Sequence, residues 1–239
     1  MPDIFVEQKV VFMHNPKCGS RNLRAISKQI RQQNPCQYIG ALNDNQLLVV
    51  DRRKRERILK NVLEKPVSKE LDYTWEHCSV KGIYKLFERV NIDPEGFRFV
   101  YVIRHPQDRL VSGYRYDLKR NHIAQDTTFS EYIFHNDTIP GAMPLNTHPI
   151  ERFSEGLDGN QYLDHVVRLE DFEQGMRGVL TTLGFDTEDI HFDAWRHSSA
   201  DFQLPISLQY SEKELNFMST LWAEDMRIGE YELKSDYVL

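Results

Sequence analysis

What is missing from this chain narrows its function before any motif is read. Basic residues do not dominate: 30 Lys and Arg stand against 36 Asp and Glu, a formal net charge of −6. That balance excludes wholesale nucleic-acid binding, which leaves a basic domain, so any anion site must be a local concentration of Lys and Arg. Cysteine is scarce as well. Cys18, Cys36 and Cys78 are an odd number without paired spacing, which argues against a disulfide framework and favours a reducing compartment. No apolar run approaches the roughly 20 residues of a membrane-spanning helix, so no membrane span is expected. Met1 to Lys9 carries Asp3, Glu7 and Lys9 and shows no basic segment followed by an apolar one, the pattern of a secretory signal. The expectation is a soluble, cytoplasmic protein. There is no internal repeat and no low-complexity tract.

What is present fits an α/β fold. At 239 residues, 40% of them hydrophobic, the chain is sized for one domain over residues 1–239 rather than two small ones. Val10 to Met13 and Phe99 to Ile103 are apolar runs that suit strands buried on both faces, as in a parallel sheet. Leu47 to Val50 and Val166 to Leu169 are weaker runs of the same kind. Leu23, Ile26 and Ile30 recur at helical spacing after the first strand, and Leu110, Val111, Tyr114 and Leu118 do so after the central one. Thr128 with Glu131, and Ser211 with Glu214, have the spacing of capping boxes. Phe172, Met176, Val179, Leu180 and Leu183 form a stripe that Gly184 ends. Alternating strands and helices predict a mainly parallel sheet. Residues 135–160, rich in Asn, Pro, Gly and Asp, read as one long loop of the functional or mobile kind.

Two segments read as phosphate-binding elements at strand ends. After Val10 to Met13 the chain continues His14-Asn15-Pro16-Lys17-Cys18-Gly19-Ser20-Arg21-Asn22. A strand, a loop and an amphipathic helix in that order aim backbone N–H groups and a positive dipole end at the loop. Gly19 permits close backbone approach, Ser20, Arg21 and Asn22 offer donors, and Lys17 offers a mobile charge. The G-x-x-x-x-G-K-[ST] pattern is absent, which leaves a nucleotide kinase remote. A solvated turn with a surface lysine accounts for this segment equally well. The second segment is Arg104, which closes the central strand, with Ser112 on the following helix. A guanidinium at a buried strand end is costly unless it meets an anion; the plain alternative is a structural carboxylate for Arg104 and solvent for Ser112. Together the two segments suggest a ligand phosphorylated at two places.

Pro16-Lys17-x-Gly19-Ser20-x-Asn22 resembles the 5′-phosphosulfate loop of sulfotransferases that use 3′-phosphoadenosine 5′-phosphosulfate (PAPS). Arg104-x-Pro106-x-x-Arg109-x-x-Ser112-x-Tyr114 resembles their 3′-phosphate motif and is the more specific of the two. Val167-Arg168-Leu169-Glu170-Asp171-Phe172 and Asp225-x-x-x-Gly229-x-Tyr231 look like later segments of the same proteins, in the same order. The similarity leans to the carbohydrate (Golgi-type) branch. Arg21 stands where most relatives carry Ser or Thr, and Cys18 replaces a common Thr. The resemblance implies a P-loop-like three-layer α/β fold, with a central, mainly parallel sheet flanked by helices. It also implies transfer of a sulfuryl group from PAPS to an acceptor hydroxyl, on a carbohydrate or glycan, with no metal. In that frame Lys17 neutralises the departing phosphate. Pro16, Lys17, Cys18, Gly19, Ser20, Arg21 and Asn22 surround the 5′-phosphate, while Arg104, Arg109 and Ser112 serve the 3′-phosphate. A small-molecule or lipid acceptor, and a non-catalytic nucleotide- or glycan-binding relative, are the alternatives.

An attacking hydroxyl must lose a proton, so a general base is expected. Tyr73-Thr74-Trp75-Glu76-His77-Cys78-Ser79-Val80 is partly similar to the base-bearing segment of uronosyl 2-O-sulfotransferases, which implies His77 as base. Glu76 is the rival, because other branches use a glutamate, and a structural strand-end histidine is the plain alternative. His14 and His148 are weaker candidates. Arg52-Arg53-Lys54-Arg55-Glu56-Arg57 is either a dock for an acidic polysaccharide or a solvated helix start. Trp75, Trp195 and Trp222 offer faces for sugar stacking, although Trp222 continues the apolar stripe of Leu215, Met218 and Leu221 and reads as core.

Overall fold

The computed structural model describes residues 2–33, 37–43, 46–50, 56–60, 77–135, 138–140, 142, 146–192 and 207–238. Along the chain β1 (Asp3–Phe5) and β2 (Val10–Met13) precede α1 (Ser20–Gln33), and β3 (Tyr38–Asn43), β4 (Gln46–Val50) and β5 (Glu56–Lys60) follow. Next come α2 (Val80–Val90), β6 (Arg98–Ile103), α3 (Pro106–Lys119), α4 (Phe129–His135) and the single turn α5 (Glu151–Ser154). β7 (His165–Arg168) and α6 (Phe172–Thr182) lead to β8 (Ser207–Gln209), α7 (Glu212–Leu221), α8 (Ala223–Gly229) and β9 (Asp236–Val238). These elements form two compact units, Met1–Val102 with Glu151–Asp193 and Ile103–Ile150 with Ala194–Leu239.

The first unit is built on a mixed sheet of order β5-β4-β3-β1-β2-β6-β7. β2 and β6 are adjacent and parallel, from Val10↔Arg98 to Met13↔Tyr101, so their carboxyl ends open on one edge. All four β2 residues and five of the six in β6 are buried, as two-faced apolar runs require. β1 pairs antiparallel with β2 and β3, and β3, β4 and β5 continue antiparallel. Leu47 to Val50 lies in β4, a strand as expected but antiparallel to both neighbours rather than part of a parallel array. Val166 to Arg168 lies in β7, but Leu169 opens a 3-10 turn, Leu169–Asp171. Glu56 and Arg57 belong to β5, paired with Val50 and Val49. The helix start considered for the basic run is therefore corrected at those two positions, because a neighbouring strand supplies the backbone partners and overrides local propensity. Arg52 to Arg55 lie outside the described residues.

The core of this unit joins Phe5, Phe12, Val100 and Val102 from the strands to Leu23, Ile26 and Ile30 of α1 and Met176 and Leu180 of α6. These are the helical stripes read from the sequence. Fully burying each such side chain is worth about 1.5–3 kcal/mol. α6 ends at Gly184, whose φ of +79° and backbone bond to Thr181 complete the cap.

In the second unit α3 begins with His105 as N-cap and Pro106 in its first turn, the position proline tolerates best. Both expected capping boxes are present: Glu131 accepts from the Thr128 amide and hydroxyl, and Glu214 from those of Ser211. Leu110, Tyr132, Ile133, Tyr210, Met218 and Trp222 share a core. Trp222 is 1% exposed, and its indole N–H donates to the Thr147 carbonyl at 2.8 Å. Asp117, fully buried, accepts from the Tyr132 hydroxyl at 2.8 Å, Asn146 Nδ2 at 3.3 Å and His122 Nδ1 at 3.0 Å. The stretch 135–160 is not one continuous loop, since α5 interrupts it. Trp75 and Trp195 lie outside the described residues. Among the described residues no helix is long and apolar enough to cross a membrane.

Candidate functional site

The loop between β2 and α1 is folded tightly on itself. The Cys18 amide donates to the Asn15 carbonyl at 3.3 Å, and the amides of Asn22 and Leu23 donate to the Gly19 carbonyl at 2.8 and 3.3 Å. Lys17 has φ +61° and Gly19 φ +80°, left-handed values of the kind that anion-binding nests use. A Cβ on Gly19 would lie 2.6 Å from Leu169 Cδ1, the far end of a side chain that can shift aside, so the positive φ rather than packing is what calls for glycine there. Ser20 donates its hydroxyl to the Asn15 carbonyl at 3.0 Å; in this state the proton expected for a phosphate closes the loop instead. Asn15 Nδ2 donates to the Val102 carbonyl at 3.2 Å, tying the loop to β6. Pro16 and Cys18 are buried, Lys17, Gly19, Ser20 and Asn22 are half-buried, and Arg21 is exposed.

His77 belongs to this unit. Its Nδ1 lies 2.7 Å from the His14 carbonyl. A carbonyl oxygen only accepts, so Nδ1 carries the proton and the basic lone pair of the neutral ring sits on Nε2. His14, weighed as a base, is instead fully buried by its side chain, with Nε2 2.9 Å from Asp3 Oδ2; its ring is committed inward and that candidacy is corrected. Burial pulls the His14 pKa below its ordinary value, and Asp3 only partly offsets this. Burial by itself raises the Asp3 carboxyl, but His14 and the Tyr38 hydroxyl, which donates to Oδ1, outweigh it and hold Asp3 below the usual range. Neither Asp3 nor Tyr38 was legible as part of this cluster, since nothing in Asp3-Ile4-Phe5 marks the acid as buried. Glu76 lies outside the described residues. His148 is half-buried in the second unit.

In the second unit Arg104 follows β6 directly and is 7% exposed, with Nε 3.9 Å from Asp108 Oδ2. Asp108 also accepts from the Tyr237 hydroxyl at 2.6 Å. His105 packs against Tyr231 and Tyr237, with ring centroids 5.0 and 5.5 Å apart, and donates Nε2–H to the Glu232 carbonyl at 3.0 Å. Ser112 is half-buried on α3. Arg109 is 2% exposed, with Nη1 3.5 Å from Asp225 Oδ1, while Asp225 Oδ2 accepts the Ile150 amide at 2.8 Å. Burial raises the Asp225 carboxyl, and Arg109 pulls the other way. Removing one side of such a buried pair costs about 3–5 kcal/mol. Arg109 thus braces α3 against α8 and the chain before α5. Its partner was legible only as the first residue of the Asp225-to-Tyr231 segment, with no signal for the pairing.

Among the described residues no group of three or more His, Cys, Asp or Glu stands together in a form that would hold a metal ion. Residues 3–228 match the family model described as the sulfotransferase family. No curated protein and no solved structure gives a significant match.

Proposed function

Because the chain belongs to the sulfotransferase family, we propose that it moves a sulfuryl group from PAPS to an acceptor hydroxyl on a carbohydrate or glycan. The observation that carries this reading is the turn of left-handed Lys17 and Gly19 at the head of α1, on a strand whose parallel neighbour runs directly into Arg104. Residues of this type fit a donor bearing phosphate groups at both ends of its nucleoside. The amides of Ser20 and Arg21, the first two positions of α1, have no carbonyl partner within the helix and serve the 5′-phosphate together with the side chains of Asn22 and the exposed Arg21. Pro16 and Cys18 shape the turn. Arg104 and Ser112 serve the 3′-phosphate, and Arg109 acts on them indirectly by fixing α3.

In this reaction the acceptor oxygen forms a bond to sulfur as the bond from sulfur to the phosphate oxygen breaks. His77 takes the acceptor proton on Nε2, the atom its bond to His14 leaves basic. Lys17 offsets the negative charge that gathers on the leaving phosphate. Catalysis then rests on alignment and electrostatics, as in phosphoryl transfer. The carbohydrate acceptor rests on the resemblance of the His77 segment to uronosyl 2-O-sulfotransferases.

Transfer of labelled sulfate from PAPS to a panel of glycans tests this reading. Lys17→Ala is expected to abolish transfer with the fold intact, and undiminished turnover in that variant would remove its role. His77→Ala is expected to lower turnover by roughly 10²–10⁴-fold, the usual worth of a general base, with donor affinity little changed. A normal rate would move the base elsewhere.

A further inference from the structure

The ring of His14, too deeply committed to serve as a base, has another use. His14 is the first residue past the paired part of β2, whose register with β1 and β6 ends at Phe12 and Met13. The sheet therefore does not set the direction of the His14 carbonyl, yet that oxygen is the partner of His77 Nδ1 at 2.7 Å. Two side chains grip the peptide between residues 14 and 15 instead, from the strands on either side of β2. On the β1 side His14 Nε2 lies 2.9 Å from Asp3 Oδ2; on the β6 side Asn15 Nδ2 donates to the Val102 carbonyl at 3.2 Å. An ionised carboxylate only accepts, so Nε2 carries the proton of the His14 ring and Nδ1 a lone pair. That Nδ1 is buried with no hydrogen-bond partner among the described residues. Asp3 is thus the polar anchor of the ring.

Asp3 is itself held in place. Its Oδ1 accepts from the Tyr38 hydroxyl, and Tyr38 is fixed in turn by the Arg31 guanidinium, 4.3 Å from the ring centroid, and by the edge-on ring of Phe5. Asp3, His14 and Tyr38 are all buried. Buried polar sets of this kind are often no more stabilising than apolar side chains of the same volume, so stability alone gives the cluster no reason to exist. What it supplies is direction. The tautomer of a neutral histidine is set by the bond its other ring nitrogen makes, and here that bond ends on the oxygen the cluster orients. Resting on the reading of His77 as the base, the geometry points to Asp3, braced by Tyr38, as a positioning residue for the transfer. It anchors the His14 ring so that the His14 carbonyl keeps the His77 proton on Nδ1 and the basic lone pair on Nε2. Asp3 takes no proton from the acceptor; it acts through His14.

Asp3→Asn tests this, because its amide nitrogen cannot accept the His14 proton. Three quantities are measured in the full chain: the His77 tautomer by nitrogen NMR of labelled imidazole rings, assigned with His77→Ala; sulfate transfer from PAPS; and affinity for 3′,5′-adenosine diphosphate. In the wild type the His77 proton is expected on Nδ1. In Asp3→Asn the ring is expected to become a mixture of tautomers and kcat to fall roughly tenfold, the worth of about one hydrogen bond, with nucleotide affinity unchanged. Ile190→Val trims the same core at a distance from His14 in the chain and is expected to leave the tautomer alone. A wild-type His77 tautomer in Asp3→Asn, or an equal shift in Ile190→Val, overturns the proposal. Should Asp3→Asn not fold, Tyr38→Phe keeps the ring and removes only the hydroxyl; a smaller shift of the same two readouts is then expected, and an unmoved tautomer overturns the proposal again. Normal turnover in His77→Ala refutes the base reading and this proposal with it. Turnover lost in His77→Ala beside an unmoved tautomer in Asp3→Asn refutes the positioning role alone.

Discussion

At the scale of single residues, His14 divides its bonding between two partners: the ring serves Asp3 and the main-chain oxygen serves His77. The buried ring has consequences for stability. Its folded pKa lies below the ordinary value of 6.5, so as pH falls past that value the unfolded chain takes up a proton that the folded one refuses. Stability therefore declines as pH drops below about 6.5, by up to about 1.4 kcal/mol per unit for one such group, until the folded pKa is reached. His14→Asn removes the titrating ring and keeps an N–H for Asp3. Urea midpoints measured between pH 8 and 5 are expected to fall less steeply in that variant. A slope identical to the wild type would clear His14 of acid sensitivity. His165, lowered by its own burial and by Arg98, acts with the same sign, so part of the slope is expected to persist.

At the scale of elements, the loop from His14 to Gly19 is held by bonds to Asn15 from Cys18 and Ser20, by the Asn15–Val102 tether and by two left-handed residues. Gly19→Ala obliges the end of Leu169 to shift and places alanine in the left-handed region. The expected cost is about 1–3 kcal/mol of stability, with weaker binding of 3′,5′-adenosine diphosphate; denaturant unfolding and titration measure the two. A variant with wild-type values on both counts would show that the turn relaxes freely. The strand–loop–helix order here was readable because an apolar run precedes the loop and the stripe of Leu23, Ile26 and Ile30 follows it, while its phosphate role came from the family resemblance alone. β6, α1, α3, α6 and both capping boxes were readable for the same reason: their apolar spacing or cap chemistry is local. The antiparallel run from β1 to β5 was not, because a short apolar segment such as Leu47 to Val50 looks alike whichever way its neighbour runs. The Arg109–Asp225 pair and the Asp117 cluster join positions far apart in the chain, and no local pattern encodes such partners.

At the scale of the molecule, the boundary between the two units falls inside β6, between Val102 and Ile103. The sequence there is an unbroken apolar strand, so no composition shift announces the change. Each unit also draws on two separate stretches of chain, which hides its extent from any window passed along the sequence. The net charge of −6 disfavours anionic ligands generally, which is why the cations have to be gathered locally for any phosphate to bind. The tether from Asn15 to Val102 has a last consequence, for which insertions and deletions the chain will tolerate. A slip of one residue between β2 and β6 would break that bond and invert every side chain of β6. Length polymorphism should therefore be forbidden between Met13 and Gly19 and throughout β6, whatever freedom natural variants enjoy elsewhere.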